Sequence, residues 1–257
     1  MRAPLTFESL ASAFFIAFAV AALATQASPH RRAQVALLSA LMAIGVIAAS
    51  QAAEATRGWL GHAYLVAAYW IPALLIPSSD PPGRFESWLV RSDQWCRIFA
   101  INPPAWAALI LELSYLLCYV LVPVAFVLVW TSGTIADVDR FWTAVLLSGF
   151  LCYASLPWLV SRPPRMLNAA AAESAGVHGV NEFVLKRVSH GLNTFPSGHV
   201  AVSLAAALEV MPISQPAGIV LLVIASAIAA GAVLGRYHYA LDVLVGAILG
   251  ITISWFV

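Results

Sequence analysis

Charged side chains are scarce in this chain of 257 residues, at 10% of the sequence, whereas soluble domains carry about a quarter. The formal net charge is +1, so the chain lacks the basic surplus with which proteins attract nucleic acid. Cysteine is also rare: there are three, and none has a partner at CxxC spacing, which argues against a disulfide-stapled secreted domain and a cysteine-held metal.

Hydrophobic residues, in contrast, make up 61% of the chain, and its mean hydropathy is +0.87. A membrane core about 30 Å thick takes about 20 residues of helix, the form that satisfies its own backbone in lipid. We therefore predict an all-α fold, a polytopic membrane helical bundle with about eight transmembrane helices. The apolar stretches cover about 7–26, 33–53, 59–77, 105–130, 141–160, 198–213, 217–235 and 239–257.

Two long connections separate these stretches. Residues 78–104 interleave aromatic and charged side chains, a pattern that predicts an amphipathic segment at the membrane interface. Residues 161–197 are polar, and His178 and His190 within them are candidates for a substrate contact. We find no internal repeat, which favours a single domain.

The sixth apolar stretch opens with a Pro-Ser-Gly turn, and His199 follows at once. Backbone N–H groups in the first turn of a helix favour an anion. Ser197 adds a hydroxyl donor, and Gly198 permits close approach of the backbone. A plain helix cap explains the same residues equally well, because Pro and Ser are common at helix starts.

His238 and Asp242 open the last stretch at positions i and i+4, on one face of a helix. A carboxylate at this spacing can accept the imidazole Nδ1–H and leave Nε2 as a nucleophile or base. The alternative is a structural pair at a helix end. Since ionisable groups are costly inside a membrane, we favour the functional interpretation.

Arginines near these motifs could recognise a phosphate oxyanion. Arg162 and Arg165 flank a Pro-Pro pair after the fifth stretch, and Arg236 lies just before His238. Interfacial arginines that only set the topology are the alternative for the first two. Because alternate connections share a side of the membrane, we expect all three motifs to meet at one end of the bundle.

The residues Phe195–His199 and the His-x3-Asp of 238–242, with Arg162-Pro163 upstream, resemble the type 2 phosphatidic acid phosphatase superfamily. Its members are membrane lipid phosphatases and phosphotransferases, and the resemblance covers about residues 150–245. The resemblance implies a six-helix core. Mapped onto this chain, residues 1–56 would form two additional N-terminal helices and residues 57–257 the core of a single domain.

The resemblance also implies a role for each motif residue. His238 would attack phosphorus and form a phosphohistidine, Asp242 would orient it, and His199 would protonate the leaving alkoxide. The phosphoryl oxygens would be held by the Ser197 hydroxyl, the Gly198 amide and the arginines Arg162, Arg165 and Arg236. No metal and no cofactor is implied.

Two positions depart from the usual pattern of the superfamily. Ser155 stands where a lysine is usual, and Ala232 where an arginine is usual. These departures resemble the branch that includes inositol phosphorylceramide synthases, in which Arg165 would replace Arg162 at the phosphate. Arg236 can reach the phosphate only if the last helix begins after it.

We therefore expect an integral membrane lipid-phosphate phosphatase. A phosphotransferase that uses an alcohol acceptor is the first alternative, and a transporter is a remote one. The expected partners are a lipid phosphate and membrane lipids, without nucleic acid, in a bacterial inner (plasma) membrane.

Ten of the thirteen basic residues lie on the side of the membrane where the three motifs are expected. By the positive-inside rule this distribution favours the cytoplasm, whereas the resemblance favours an outward-facing site. The lipid, the membrane side and the oligomeric state stay open.

Overall fold

The computed structural model describes residues 3–76, 83–97, 101, 103–167, 189 and 191–257. Regular structure in these residues is helical, apart from one isolated bridge between Ser161 and Asn193. The helices are α1 Thr6–Leu23, α2 Pro29–Ala49, α3 Glu54–Ala73, α4 Arg84–Trp95, α5 Ala105–Leu116, α6 Cys118–Ser132, α7 Ile135–Ala154, α8 Pro164–Leu167, α9 Gly198–Val210, α10 Gln215–Leu234 and α11 Ala240–Phe256. The predicted all-α fold is confirmed.

Each predicted apolar stretch coincides with helix, and the interfacial segment contains the amphipathic helix α4. The fourth stretch differs from the prediction, because it is divided at Leu117 into α5 and α6, which are bent by 54° relative to each other. Among the described residues, α1, α2 and α10 are long and apolar enough to span a membrane, and the bent pair makes a possible fourth span. Helices α9 and α11 are apolar but have fewer than 18 residues, and α3 and α7 carry charged residues near their N-termini. The count of eight spans stays a prediction.

Helix α9 lies at the centre of the bundle, where all its side chains except His199 and Leu208 are buried. Helix α11 crosses it at two glycines. A Cβ on Gly246 would lie 2.6 Å from the Ser197 carbonyl oxygen, and one on Gly250 would lie 2.4 Å from that of Ala201. Only glycine permits this approach of two backbones, which brings the first turns of α9 and α11 together.

Helix α1 is fixed to the bundle at the opposite end from these turns. Glu8 in α1 forms a buried ion pair with Arg57 in α3 at 2.6 Å. Asp139 in α7 accepts hydrogen bonds from the Thr6 and Phe7 amides, each at 3.0 Å, and so caps α1. The division into residues 1–56 and 57–257 is not tested by these contacts and stays a prediction.

Candidate active site

Three connections meet at one end of the bundle: residues 155–163 after α7, residues 191–197 before α9 and residues 235–239 between α10 and α11. Asn193 joins them, because its amide donates to the Ser161 carbonyl oxygen at 2.8 Å and its Nδ2 to the Tyr237 carbonyl oxygen at 2.9 Å. The Arg165 amide donates to the Arg236 carbonyl oxygen at 3.1 Å. The three motifs of the sequence are therefore brought together.

His238 and Asp242 form a buried pair. The distance from His238 Nδ1 to Asp242 Oδ2 is 3.2 Å, and the two side chains are 3% and 0% exposed. Helix α11 begins at Ala240, so Asp242 lies in its first turn and can face the residue before the helix. With the proton on Nδ1, Nε2 keeps its lone pair and can act as a nucleophile.

His199 projects from the first turn of α9 toward His238. The centroids of the two imidazole rings are 5.6 Å apart, and their planes are inclined by 63°. Rings at this separation can contact the same small oxyanion from different sides. His199 is partly exposed to solvent, whereas His238 is buried. The two histidines therefore differ in their access to water.

Ser197 is the N-cap residue of α9, and its amide donates to the Asp242 carbonyl oxygen at 3.0 Å. This bond connects the Pro-Ser-Gly turn directly to the helix that carries Asp242. The Ser197 hydroxyl is buried and has no hydrogen-bond partner among the described residues. A buried hydroxyl without a partner costs about 1–3 kcal/mol, so it points to a ligand or water at this place.

Gly198 occupies a tight position. Its amide donates to the Thr194 hydroxyl at 3.1 Å, so the group that the resemblance assigns to the phosphate is engaged by a local cap. A Cβ on Gly198 would lie 2.4 Å from Cε1 of Tyr153. Glycine is therefore required here for packing as well.

Arg162 is bound by a carboxylate that the sequence analysis did not connect with it. Its Nε and Nη2 atoms donate to the two carboxylate oxygens of Glu86 in α4 at 3.1 and 2.7 Å, and its backbone amide donates to Glu86 at 2.8 Å. Burial acts to raise the pKa of Glu86, but the hydrogen bonds and charge of Arg162 outweigh it and lower that pKa. The structure thus pairs Arg162 with Glu86.

Arg165 is connected to the histidines by two aromatic rings. Its Cζ lies 4.2 Å from the ring centroid of Tyr237, a cation–π geometry. Tyr237 stacks on Tyr115 at 4.1 Å, and the centroid of Tyr115 is 5.6 Å from that of His199 and 6.4 Å from that of His238. Arg165 is therefore linked to the histidines through two aromatic rings, whereas Arg162 is bound to Glu86.

Arg236 follows the C-terminus of α10 with a left-handed φ of 57°. The Arg236 and Tyr237 amides donate to the carbonyls of Val233 and Ala232, which is a Schellman ending whose left-handed position is usually glycine. A non-glycine residue there costs about 1 kcal/mol. Helix α11 begins at Ala240, so the condition for Arg236 to reach the phosphate is met.

Ser155 and Ala232, which stand where the superfamily usually has a lysine and an arginine, provide no cation to the site. The Ser155 hydroxyl donates to the Cys152 carbonyl oxygen at 2.6 Å, and Ala232 is fully buried beneath the Schellman ending.

His178 and His190 lie outside the described residues. Within the described part of the chain, no group of three or more His, Cys, Asp or Glu side chains is arranged to hold a metal ion.

Several residues of the site were not anticipated. Tyr115 and Tyr119 line His199 on either side of the break at Leu117, and Tyr237 donates to Glu112 in α5. Helix α4 contributes Glu86 and also Asp93, whose Oδ1 accepts from the Ala240 amide at 3.0 Å. The sequence did contain one indication of this role. Glu86 and Asp93 are seven residues apart and therefore share a face of α4, and two acids on one face of an amphipathic helix indicate that this face contacts polar groups of the protein.

Comparison with known proteins gives one match. Residues 85–256, more than half of the chain, match a family model described as the PAP2 superfamily. The matched range starts in α4 and ends in α11, so it contains every candidate residue above and leaves α1 to α3 outside. No curated protein and no solved structure matches the chain.

Proposed function

The chain belongs to the PAP2 superfamily, whose members are phosphatases or related phosphotransferases, and on this premise we propose that it is an integral membrane lipid-phosphate phosphatase. One observation carries the proposal: two imidazole rings lie 5.6 Å apart, and one of them is held by a buried carboxylate. This arrangement supplies the nucleophile and the acid that phosphoryl transfer requires.

The reaction has two steps. Nε2 of His238 bonds to phosphorus while the bond from phosphorus to the lipid oxygen breaks, and His199 gives its proton to that oxygen. Water then loses a proton to His199 and attacks phosphorus, the phosphorus–nitrogen bond breaks, and phosphate leaves. Asp242 stabilises the positive charge that the His238 ring carries in the phosphohistidine.

Hydrogen-bond donors around the histidines would hold the oxygens of the transferring group, where negative charge accumulates. We assign this role first to the Ser197 hydroxyl, and to Arg165 and Arg236 as cations. The Gly198 amide and Arg162 can join only if they exchange or share their bonds to Thr194 and Glu86.

A lipid substrate fits the position of the site. The site lies at the end of a bundle of apolar helices, and exposed tryptophans lie in two of the segments that form it, Trp88 in α4 and Trp158 in the connection after α7. Tryptophan is enriched at membrane–water interfaces. A lipid that diffuses in the bilayer can therefore bring its phosphate to the histidines while its chains stay in the membrane.

The test is release of inorganic phosphate by the detergent-solubilised protein from a panel of lipid phosphates, both monoesters and diphosphates. We expect His238→Ala and His199→Ala to abolish release from the lipid that the wild type hydrolyses. His30→Ala is the matched control, because His30 is exposed at the start of α2. Release that survives in both site variants would refute the mechanism.

A phosphotransferase is the second candidate, since the usual lysine is replaced by Ser155, whose hydroxyl is used within its own helix. A site that lacks this cation has less positive charge with which to offset the negative charge that develops when water attacks phosphorus. Addition of an alcohol acceptor to the same assay distinguishes the two activities. In transfer, the labelled phosphoryl or phospho-head group appears on the acceptor and phosphate release stays low.

A further inference from the structure

Helix α4 contacts two of the three connections that form the site, and it also contacts the first residue of α11. Glu86 binds Arg162 in the first, and Phe85 and Trp88 pack against Phe195 in the second, with ring centroids 5.1 and 6.4 Å apart. Its last turn reaches the start of α11 at Ala240. A helix of twelve residues outside the predicted spans thus contacts several of the segments that carry the site.

Asp93 makes the contact to α11. Its carboxylate is 1% exposed, and Oδ1 accepts from the amide of Ala240, the first residue of the helix, at 3.0 Å. The N-cap residue Tyr239 provides no side-chain cap of its own. The first amides of a helix lack partners within it, and a carboxylate there is favoured by the helix dipole. Asp93 therefore replaces the missing cap from another helix.

Asp93 is also close enough to the buried pair for their charges to interact. The carboxylate whose charge acts on Asp93 is Asp242 in α11, whose Oδ2 pairs with Nδ1 of His238. Tyr239, which precedes α11, experiences the charges of Asp93 and of the Glu86–Arg162 ion pair. Oδ2 of Asp93 and Oδ1 of Asp242 are buried and have no hydrogen-bond partner within the described part of the chain.

We propose that Asp93 is a positioning residue of this active site, which fixes the first turn of α11 and places a negative charge near the Asp242–His238 pair. The proposal rests on the proposed function. The hydrogen bond to Ala240 holds Asp242 in register with His238. The charge stabilises the positive ring of His238 when it carries the phosphoryl group.

The charge of Asp93 depends on pH. Burial raises its pKa to about 6, the nearby Asp242 carboxylate adds to the increase, and the hydrogen bond from Ala240 opposes it. Above this pH Asp93 is ionised, and below it the carboxyl is neutral. We therefore expect the activity to lose the contribution of Asp93 as the pH falls through about 6.

Two substitutions separate the hydrogen bond from the charge. Asp93→Asn keeps an acceptor oxygen and removes the charge, whereas Asp93→Ala removes both. Gln94→Ala is the matched control, since Gln94 is the exposed neighbour on the same helix. The turnover number and KM for lipid phosphate are measured per folded protein between pH 5 and 8, and hydrogen exchange of residues 240–243 is followed by mass spectrometry.

We expect Asp93→Ala to lower the turnover number about tenfold, with KM little changed, and to speed exchange in the first turn of α11. Asp93→Asn should keep the slow exchange and should lack the part of the activity decline near pH 6 that Asp93 causes. If Asp93→Ala does not fold, the pH profile of Asp93→Asn carries the test.

Wild-type exchange in Asp93→Ala, or a pH profile of Asp93→Asn identical to that of the wild type, would overturn the proposal. Failure of the proposed function looks different. In that case the wild type itself releases no phosphate from any lipid, while the exchange experiment still decides whether Asp93 holds α11.

Discussion

The crossing of α9 and α11 permits a test with two nearly identical substitutions. A Cβ on Gly246 would lie 2.6 Å from the Ser197 carbonyl oxygen, and one on Gly250, a turn further along, 2.4 Å from that of Ala201. Ordinary contact begins at 3.4 Å, so the helices must separate by about 0.8 and 1.0 Å respectively. Overpacking of this kind costs about 1–3 kcal/mol, and we expect Gly250→Ala to lose at least as much stability as Gly246→Ala.

Activity should follow the opposite order. Gly246→Ala pushes directly on Ser197, and misplacement of a catalytic group by about 1 Å can cost about 100-fold. We expect a loss of about 10- to 100-fold in the turnover number for Gly246→Ala and a smaller loss for Gly250→Ala. Phosphate release per folded protein and thermal unfolding in detergent measure the two quantities. Equal activity losses, or a larger loss in Gly250→Ala, would refute the assignment of Ser197 to the phosphate.

Three further substitutions test single contacts. Ser197→Ala removes a buried hydroxyl without a partner in the described residues, so we expect unchanged or higher thermal stability together with at least tenfold slower phosphate release; full activity would contradict its role. Arg236→Gly relieves a left-handed φ worth about 1 kcal/mol but removes a cation, so a stable variant with a raised KM or a lowered turnover number is expected, and unchanged kinetics would exclude the arginine from the site. Glu86 has a lowered pKa beside Arg162, so its contribution to stability is complete above its ordinary pKa of 4.5 and is lost as the pH falls through the lower folded value. Urea unfolding should therefore show a lower free energy of unfolding for Glu86→Gln than for the wild type at pH 7. The difference should be less than about 1 kcal/mol because Arg162 is partly exposed, and it should vanish in acid. A difference that grows in acid would contradict the lowered pKa of Glu86.

The helices were predictable because each needs only a local signal, an apolar run of sufficient length between polar residues. The break between α5 and α6 was not, because the residues on both sides of Leu117 are apolar, and hydropathy does not distinguish a continuous helix from a bent one. The pairing of His238 with Asp242 was equally local, since i and i+4 lie on one face of a helix.

The partners of the other site residues depend on contacts that are distant in the chain. Glu86 and Arg162 are 76 residues apart, and Asp93 and Ala240 are 147 apart, so no spacing rule connects them. The sequence indicated Arg162 and Arg165 as candidate phosphate ligands, but it could not show that a carboxylate binds Arg162 or that Arg165 packs on Tyr237. Both assignments stay predictions, because tertiary packing decides which contacts each arginine makes.

If His238 carries the phosphoryl group during turnover, a radiolabelled lipid phosphate should leave its label on this histidine, and rapid quenching of the enzyme without acid preserves that label for detection. We expect a base-stable, acid-labile label on the peptide that contains His238, formed within one turnover and absent from His238→Ala. A label on another residue, or turnover of the labelled lipid by His238→Ala at the wild-type rate, would rule out this role of His238.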